Sequence, residues 1–130
     1  MKSLAILVVD DHPIMREVVC QILEDAGHSV QSAGEGREAI RALMTSRFDL
    51  LVTDIVMPEM DGIELIGEVR RRHPEMRIIA MSGGSERFPL KDGLAIAQRI
   101  GAGATLNKPF SPEQLLNAVD WLCPADAVAM

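Results

Sequence analysis

Acids, a hydroxyl and a base stand at the ends of four apolar runs. Asp10-Asp11 follow Leu4–Val9, Asp54 closes Leu50-Leu51-Val52-Thr53, Ser82 follows Arg77–Met81, and Lys108 follows Ala104–Asn107. Carboxylates gathered within a few Å raise one another's pKa, and a hard divalent cation relieves that repulsion. Mg²⁺ suits the set because it accepts a few carboxylates and keeps several waters. With Lys108 as a mobile positive charge and Ser82 as a hydroxyl, the combination describes phosphoryl transfer. Asp54 would be the nucleophile, with Lys108 and the cation neutralising charge on the phosphoryl oxygens. The backbone amides after Asp54 and Ser82, those of Ile55 and Gly83, would donate to the same oxygens. Singly, each residue has a plainer role: Asp11 as a helix cap, Ser82 as a loop hydroxyl, Lys108 as a surface lysine. Their joint position at strand ends makes the chemical reading the stronger one.

The elements that position these residues follow from hydrophobic pattern. Leu4–Val9 and Leu50–Thr53 are continuous apolar runs, as in central parallel strands covered on both faces. Pro13 opens a helix whose stripe is Ile14, Val18, Ile22 and Ala26, flanked by Met15, Val19 and Leu23, and Gly27 ends it. Cys20 falls on its apolar side. Ser29–Ala33 is a weaker edge strand, and the helix after Gly34-Glu35-Gly36 turns Ala39, Ile40 and Leu43 inward. Beyond the turn from Pro58 to Gly62, Ile63–Arg72 reads as a helix with Leu65, Ile66 and Val69 inward, its Arg70-Arg71-Arg72 end in solvent. Leu90–Ile100 is the fourth helix, with Leu94, Ala97 and Ile100 inward. Ser111-Pro112-Glu113-Gln114 caps the last, which buries Leu115, Val119 and Leu122. Strands alternating with helices five times predict an α/β, doubly wound parallel sheet, whose ligands sit at the carboxyl ends of the strands. The first strand lacks the glycine-rich loop of a nucleotide-binding sheet.

The totals narrow the function further. A chain of 130 residues with 48% apolar and 25% charged residues predicts one domain, residues 1–123, with a frayed tail over 124–130. A net charge of −6 argues against direct nucleic-acid binding. Cys20 and Cys123 form no metal or disulfide framework, and no apolar run is long enough for membrane insertion. A cytoplasmic protein is expected. His12, beside the acid pair, and His28 and His73 in turns have no partner at ligand spacing, so none receives a role.

Val8-Val9-Asp10-Asp11, Thr53–Pro58 with Asp61-Gly62, Ser82, and Lys108-Pro109-Phe110 together resemble the receiver domain of two-component response regulators, over nearly the whole chain. The resemblance implies a flavodoxin-like fold with strand order 2-1-3-4-5. It implies that Asp54 accepts a phosphoryl group from a phosphohistidine of a sensor histidine kinase or histidine phosphotransfer protein. Mg²⁺ would be held by Asp11, Asp54 and the carbonyl of Val56, with Asp10 acting through water. Lys108 would pair with the acceptor and then the phosphate, Ser82 would be the switch hydroxyl, and Pro109 would follow a cis bond. A downstream target would dock on the face of helix 4, strand 5 and helix 5, or phosphate would pass along a relay.

Two departures fall on that face. Thr105 occupies the switch position where receivers usually carry Tyr or Phe, and the stretch Gly83–Lys91 is longer than usual, with Phe88 as a candidate anchor. One rival reading is an aspartate-nucleophile phosphatase, which needs an acid two residues after the nucleophile; here that residue is Val56. The other is a pseudo-receiver that only binds partners and would not need Asp11, Asp54 and Lys108 together.

Overall fold

The computed structural model describes residues 3–57, 59–83 and 90–124, with residues 90–94 as backbone alone. Among them, strands and helices alternate: β1 (Ala5–Val9), α1 (Pro13–Asp25), β2 (Ser29–Ala33), α2 (Gly36–Thr45), β3 (Leu50–Asp54), α3 (Gly62–Arg72), β4 (Arg77–Ser82), α4 (Leu90–Ile100), β5 (Ala104–Asn107) and α5 (Pro112–Leu122). The sheet is parallel throughout, in the order β2-β1-β3-β4-β5, as the resemblance implied. Residues 84–89 of the lengthened stretch, Phe88 among them, and the tail beyond Pro124 lie outside the described residues.

Successive strand side chains point to opposite faces, and this splits the core in two. Leu7, Val9, Leu51, Ile78 and Ala80 pack under α2, α3 and α4. Ile6, Val8, Leu50, Val52, Ile79 and Met81 pack under α1 and α5. Alternation inside an all-apolar run is how a central strand fills both layers.

α3 turns inward as its pattern predicts, with Leu65, Ile66 and Val69 buried. α1 does not. Ile14 is 79% exposed and Val18 48%, while Val19 and Leu23 are the wholly buried residues and Met15, Cys20 and Ile22 pack beside them. The stripe Ile14, Val18, Ile22 and the flanking set Met15, Val19, Leu23 share one four-residue spacing and lie about 100° apart around the helix, so spacing does not choose between them. The flanking set Met15, Val19 and Leu23 is the one that faces the sheet.

The end of α3 also differs from its expected reading. Arg71 and Arg72 pair with Glu68 on the surface, but the Arg70 guanidinium folds back and donates to the carbonyls of Pro74 and Met76. Arg70 is a tether for the loop before β4 and is not a solvated terminus. In α5, Ser111 and Gln114 form the capping box that the sequence predicts.

Candidate functional site

Pairing register brings the strand ends level. Val9 lies opposite Thr53, Asp54 opposite Met81, and Ser82 opposite Asn107, so Asp10, Asp54, Ser82 and Lys108 follow one another along one edge. Asp10 and Ser82 are fully buried, and Asp54 is 4% exposed. The Lys108 ammonium joins two strand ends: Nζ donates to Asp10 Oδ2 at 2.9 Å and stands 3.2 Å from Asp54 Oδ2. The backbone fixes its starting point, because Lys108 N–H donates to the Ser82 carbonyl at 2.8 Å and the Lys108–Pro109 bond is cis.

Close approach of α3 to β3 shapes the floor. Gly62 N–H donates to the Ile55 carbonyl at 2.7 Å, and a Cβ on Gly62 would lie 2.1 Å from the Asp54 carbonyl oxygen. Only glycine allows that contact. Asp61 caps α3, accepting from Glu64 N–H at 2.9 Å, and Glu59 holds a left-handed φ of 63° in the turn.

Electrostatics follow from burial and neighbours. Burial pushes the Asp54 carboxyl above its ordinary value; Lys108 pulls it back, while Asp10 and Asp11 add repulsion. Burial alone would lower Lys108. Its hydrogen bond to Asp10 and the charge of Asp54 outweigh that cost and hold it above its ordinary value.

Asp11 caps nothing: the N-cap of α1 is His12, whose side chain makes no capping bond. One Asp11 oxygen, Oδ1, is buried with no hydrogen-bond partner. His12 Nδ1 lies 3.3 Å from it without bonding geometry. Donor atoms of Asp10, Asp11, His12 and Asp54 all fall within 4.8 Å of one another. A buried orphan acceptor among crowded carboxylates fits a hard divalent cation.

A family model described as the response regulator receiver domain matches residues 6–120. The chain belongs to that family. A relative from Leptolyngbya boryana, an uncharacterized 14.6 kDa protein, is 38% identical over 127 residues, covering 94% of each chain. The DNA-binding transcriptional regulator NtrC of Azospirillum brasilense is 35% identical over 120 residues, 92% of this chain but 24% of its own length. The chain thus spans about a quarter of that regulator. The response regulator TrrA of Thermotoga maritima, solved in complex with Mg²⁺ and BeF, superposes with a TM-score of 0.77 at 30% identity, covering 94% of this chain and 99% of that one.

In this receiver the predicted residues Asp10, Asp11, Asp54, Ser82 and Lys108 gather at one edge, and Gly83 lies beside them, where a Cβ would come 3.6 Å from that of Lys108. Ile55 needs correcting. Its N–H donates to the Met81 carbonyl at 2.9 Å and is spent within the sheet, so it is not open to an oxyanion. Thr105 is half-buried on β5 opposite Ala80, away from the acid cluster in register.

Two residues of the site received no role from the sequence: His12, noted only as adjacent to the acid pair, and Arg16. His12 Nδ1 stands 3.3 Å from Asp10 Oδ1 as well as from Asp11, because a non-helical loop folds neighbours i and i+2 together. Arg16 donates to the Asp10 carbonyl at 2.8 Å and steadies the same loop. A backbone acceptor leaves no trace in side-chain spacing. Among the described residues, no helix is long and apolar enough to cross a membrane.

Proposed function

We propose that Asp54 is the phosphoacceptor of this receiver. A carboxylate oxygen attacks the phosphorus of a phosphohistidine on a sensor histidine kinase or histidine phosphotransfer protein. The P–N bond breaks, its electron pair returns to the imidazole, and the imidazole takes a proton from water. The observation that carries this reading is the half-buried Lys108 ammonium held between Asp10 at 2.9 Å and Asp54 at 3.2 Å. A charge placed there meets the phosphoryl oxygens without having to be moved in.

Asp11, Asp54 and the Val56 carbonyl are the residues that would hold Mg²⁺, with Asp10 acting through a bound water. The cation supplies positive charge against the transferring phosphoryl group. The Mg²⁺ and BeF bound by the Thermotoga relative support the same ligand class here. Lys108 keeps the Asp54 carboxylate aimed and then passes to the phosphate. The Ser82 hydroxyl and the Gly83 amide bond the phosphoryl oxygens. With Ile55 N–H committed to Met81, the amide of Val56 takes the place proposed for it.

Phosphorylation then changes binding of a downstream protein at the face made by α4, β5 and α5, or the phosphoryl group moves on along a relay. With Thr105 in the switch position, that change proceeds without an aromatic ring swinging inward, since a β-branched side chain is stiff and small.

Incubation with acetyl phosphate and Mg²⁺ followed by intact mass tests the reading. One added phosphoryl group in the natural protein, absent in Asp54→Asn, is the expected result. The same gain in Asp54→Asn would place the nucleophile elsewhere, and steady phosphate release without a phosphorylated species would favour a hydrolase.

A further inference from the structure

Among the carboxylate oxygens of the proposed cation site stands one imidazole nitrogen. His12 Nδ1 is 3.3 Å from Asp10 Oδ1 and 3.3 Å from Asp11 Oδ1. Lys108 takes the other oxygen of Asp10, Oδ2, and Oδ2 of Asp54. The cluster therefore has two sides. On the ammonium side, carboxylate charge is answered within the protein. On the other, Asp10 Oδ1, the orphaned Asp11 Oδ1 and His12 Nδ1 converge. Asp10 Oδ1 already receives His12 N–H at 3.0 Å, so the His12 backbone is anchored whatever its ring does. The ring caps no helix and the side chain is 70% exposed; a hydrogen bond with Asp10 Oδ1 at 3.3 Å holds it beside the acids.

Adjacent donors on one octahedral cation, each about 2.1 Å from it, lie ~3 Å apart. The separation of 3.3 Å from His12 Nδ1 to Oδ1 of Asp11, the acid read as a direct ligand, is close to that edge length. We infer that His12 is a nitrogen donor to the divalent-cation site and sets its metal preference. This rests on reading the acid cluster as a cation site. Imidazole favours Ni²⁺, Co²⁺, Zn²⁺ and Cu²⁺, whereas carboxylates, carbonyls and water suit Mg²⁺. An all-oxygen site would rank these ions only by the general affinity order. A site with His12 gives the nitrogen-accepting ions an added advantage while leaving Mg²⁺ on its oxygens. Cellular Ni²⁺ or Zn²⁺ could then occupy the phosphorylation site in competition with Mg²⁺.

The test compares Mg²⁺ and Ni²⁺ binding by calorimetry under one buffer condition. The variants are His12→Ala and Asp11→Asn. His12→Ala keeps the backbone N–H bond to Asp10, and thermal unfolding checks that each variant is folded. We expect His12→Ala to weaken Ni²⁺ by about 10- to 100-fold and Mg²⁺ by less than about threefold. Paramagnetic Ni²⁺ should broaden the amide signals of residues 10–12 and 55–57 in the natural protein. A Ni²⁺ to Mg²⁺ affinity ratio unchanged by His12→Ala would overturn the assignment. Equal losses for both ions would also overturn it, because the ring would then act on the acids and not as a nitrogen donor. Asp11→Asn separates the two readings: if Mg²⁺ affinity survives it, the cation site itself is wrong, whatever His12→Ala does.

Discussion

Within β3, Leu50, Leu51 and Val52 are wholly buried among apolar side chains, and two residues further along Asp54 is nearly as buried but carries a carboxylate. The same contrast holds across the sheet. The buried polar residues among those described are Asp10, Thr53, Asp54 and Ser82, at or just beyond the carboxyl ends of β1, β3 and β4, and Asp61, which caps α3. The middle of the sheet gains stability from apolar burial. Its carboxyl edge keeps carboxylate charge out of water at a cost that Lys108 offsets in part and a bound cation would offset further. Stability and chemistry thus occupy different stretches of the same strands.

Substitutions at the two stretches should separate accordingly. Leu51→Ala empties part of the middle and should cost about 2–5 kcal/mol in urea unfolding. Where still folded, it should keep Mg²⁺ affinity within about twofold, since no ligand is touched. Gly62→Ala acts at the seam. A Cβ 2.1 Å from the Asp54 carbonyl oxygen forces β3 and α3 apart. A loss of about 1–3 kcal/mol is expected, and phosphorylation by acetyl phosphate should slow with it. A large loss of Mg²⁺ affinity in Leu51→Ala, or normal phosphorylation in Gly62→Ala, would blur the division.

At the edge itself the sign reverses. Asp54→Asn should stabilise the metal-free protein, read as a higher melting temperature, because the amide removes a buried charge that burial, Asp10 and Asp11 all oppose. The folded Asp54 keeps its proton to higher pH than the unfolded chain, whose ordinary value is 3.8. Its contribution to stability therefore falls as pH rises from that value through the raised one. The stability difference between Asp54→Asn and the natural protein should widen over that interval and then level off. A difference that narrows with rising pH would contradict the raised carboxyl. Added Mg²⁺ should favour the natural protein, because the Asn variant binds it less well.

The smallest effect is expected on α1. Ile14→Ala should change stability by no more than about 0.5 kcal/mol, whereas Val19→Ala, wholly buried, should cost several times more. Equal losses would return Ile14 to the core.

These helices also show what the pattern could and could not carry. α3 was legible because Leu65, Ile66 and Val69 follow the 3.6-residue period closely. On α1 two apolar sets share one spacing, and only packing against the sheet decides between them. The acids, the hydroxyl and the lysine were legible because each ends a strand, and register brings strand ends together. Ile55 was misassigned because its amide lies within the β3–β4 ladder, and pattern does not reveal which amides pairing uses up. His12 was noted beside the acids but given no role, because adjacency in sequence does not show contact; Arg16 was missed because its partner is a backbone carbonyl.

The central claim is that the carboxyl edge exists to place a phosphoryl group on Asp54. The most direct measurement treats the protein with acetyl phosphate and Mg²⁺, then with borohydride, which reduces an acyl phosphate to an alcohol. Peptide mass mapping then locates the reduced residue. Homoserine at position 54, dependent on Mg²⁺ and lost in Asp11→Asn, is the predicted result. Homoserine at position 10 or 11, or Mg²⁺-independent labelling spread over surface acids, would contradict it.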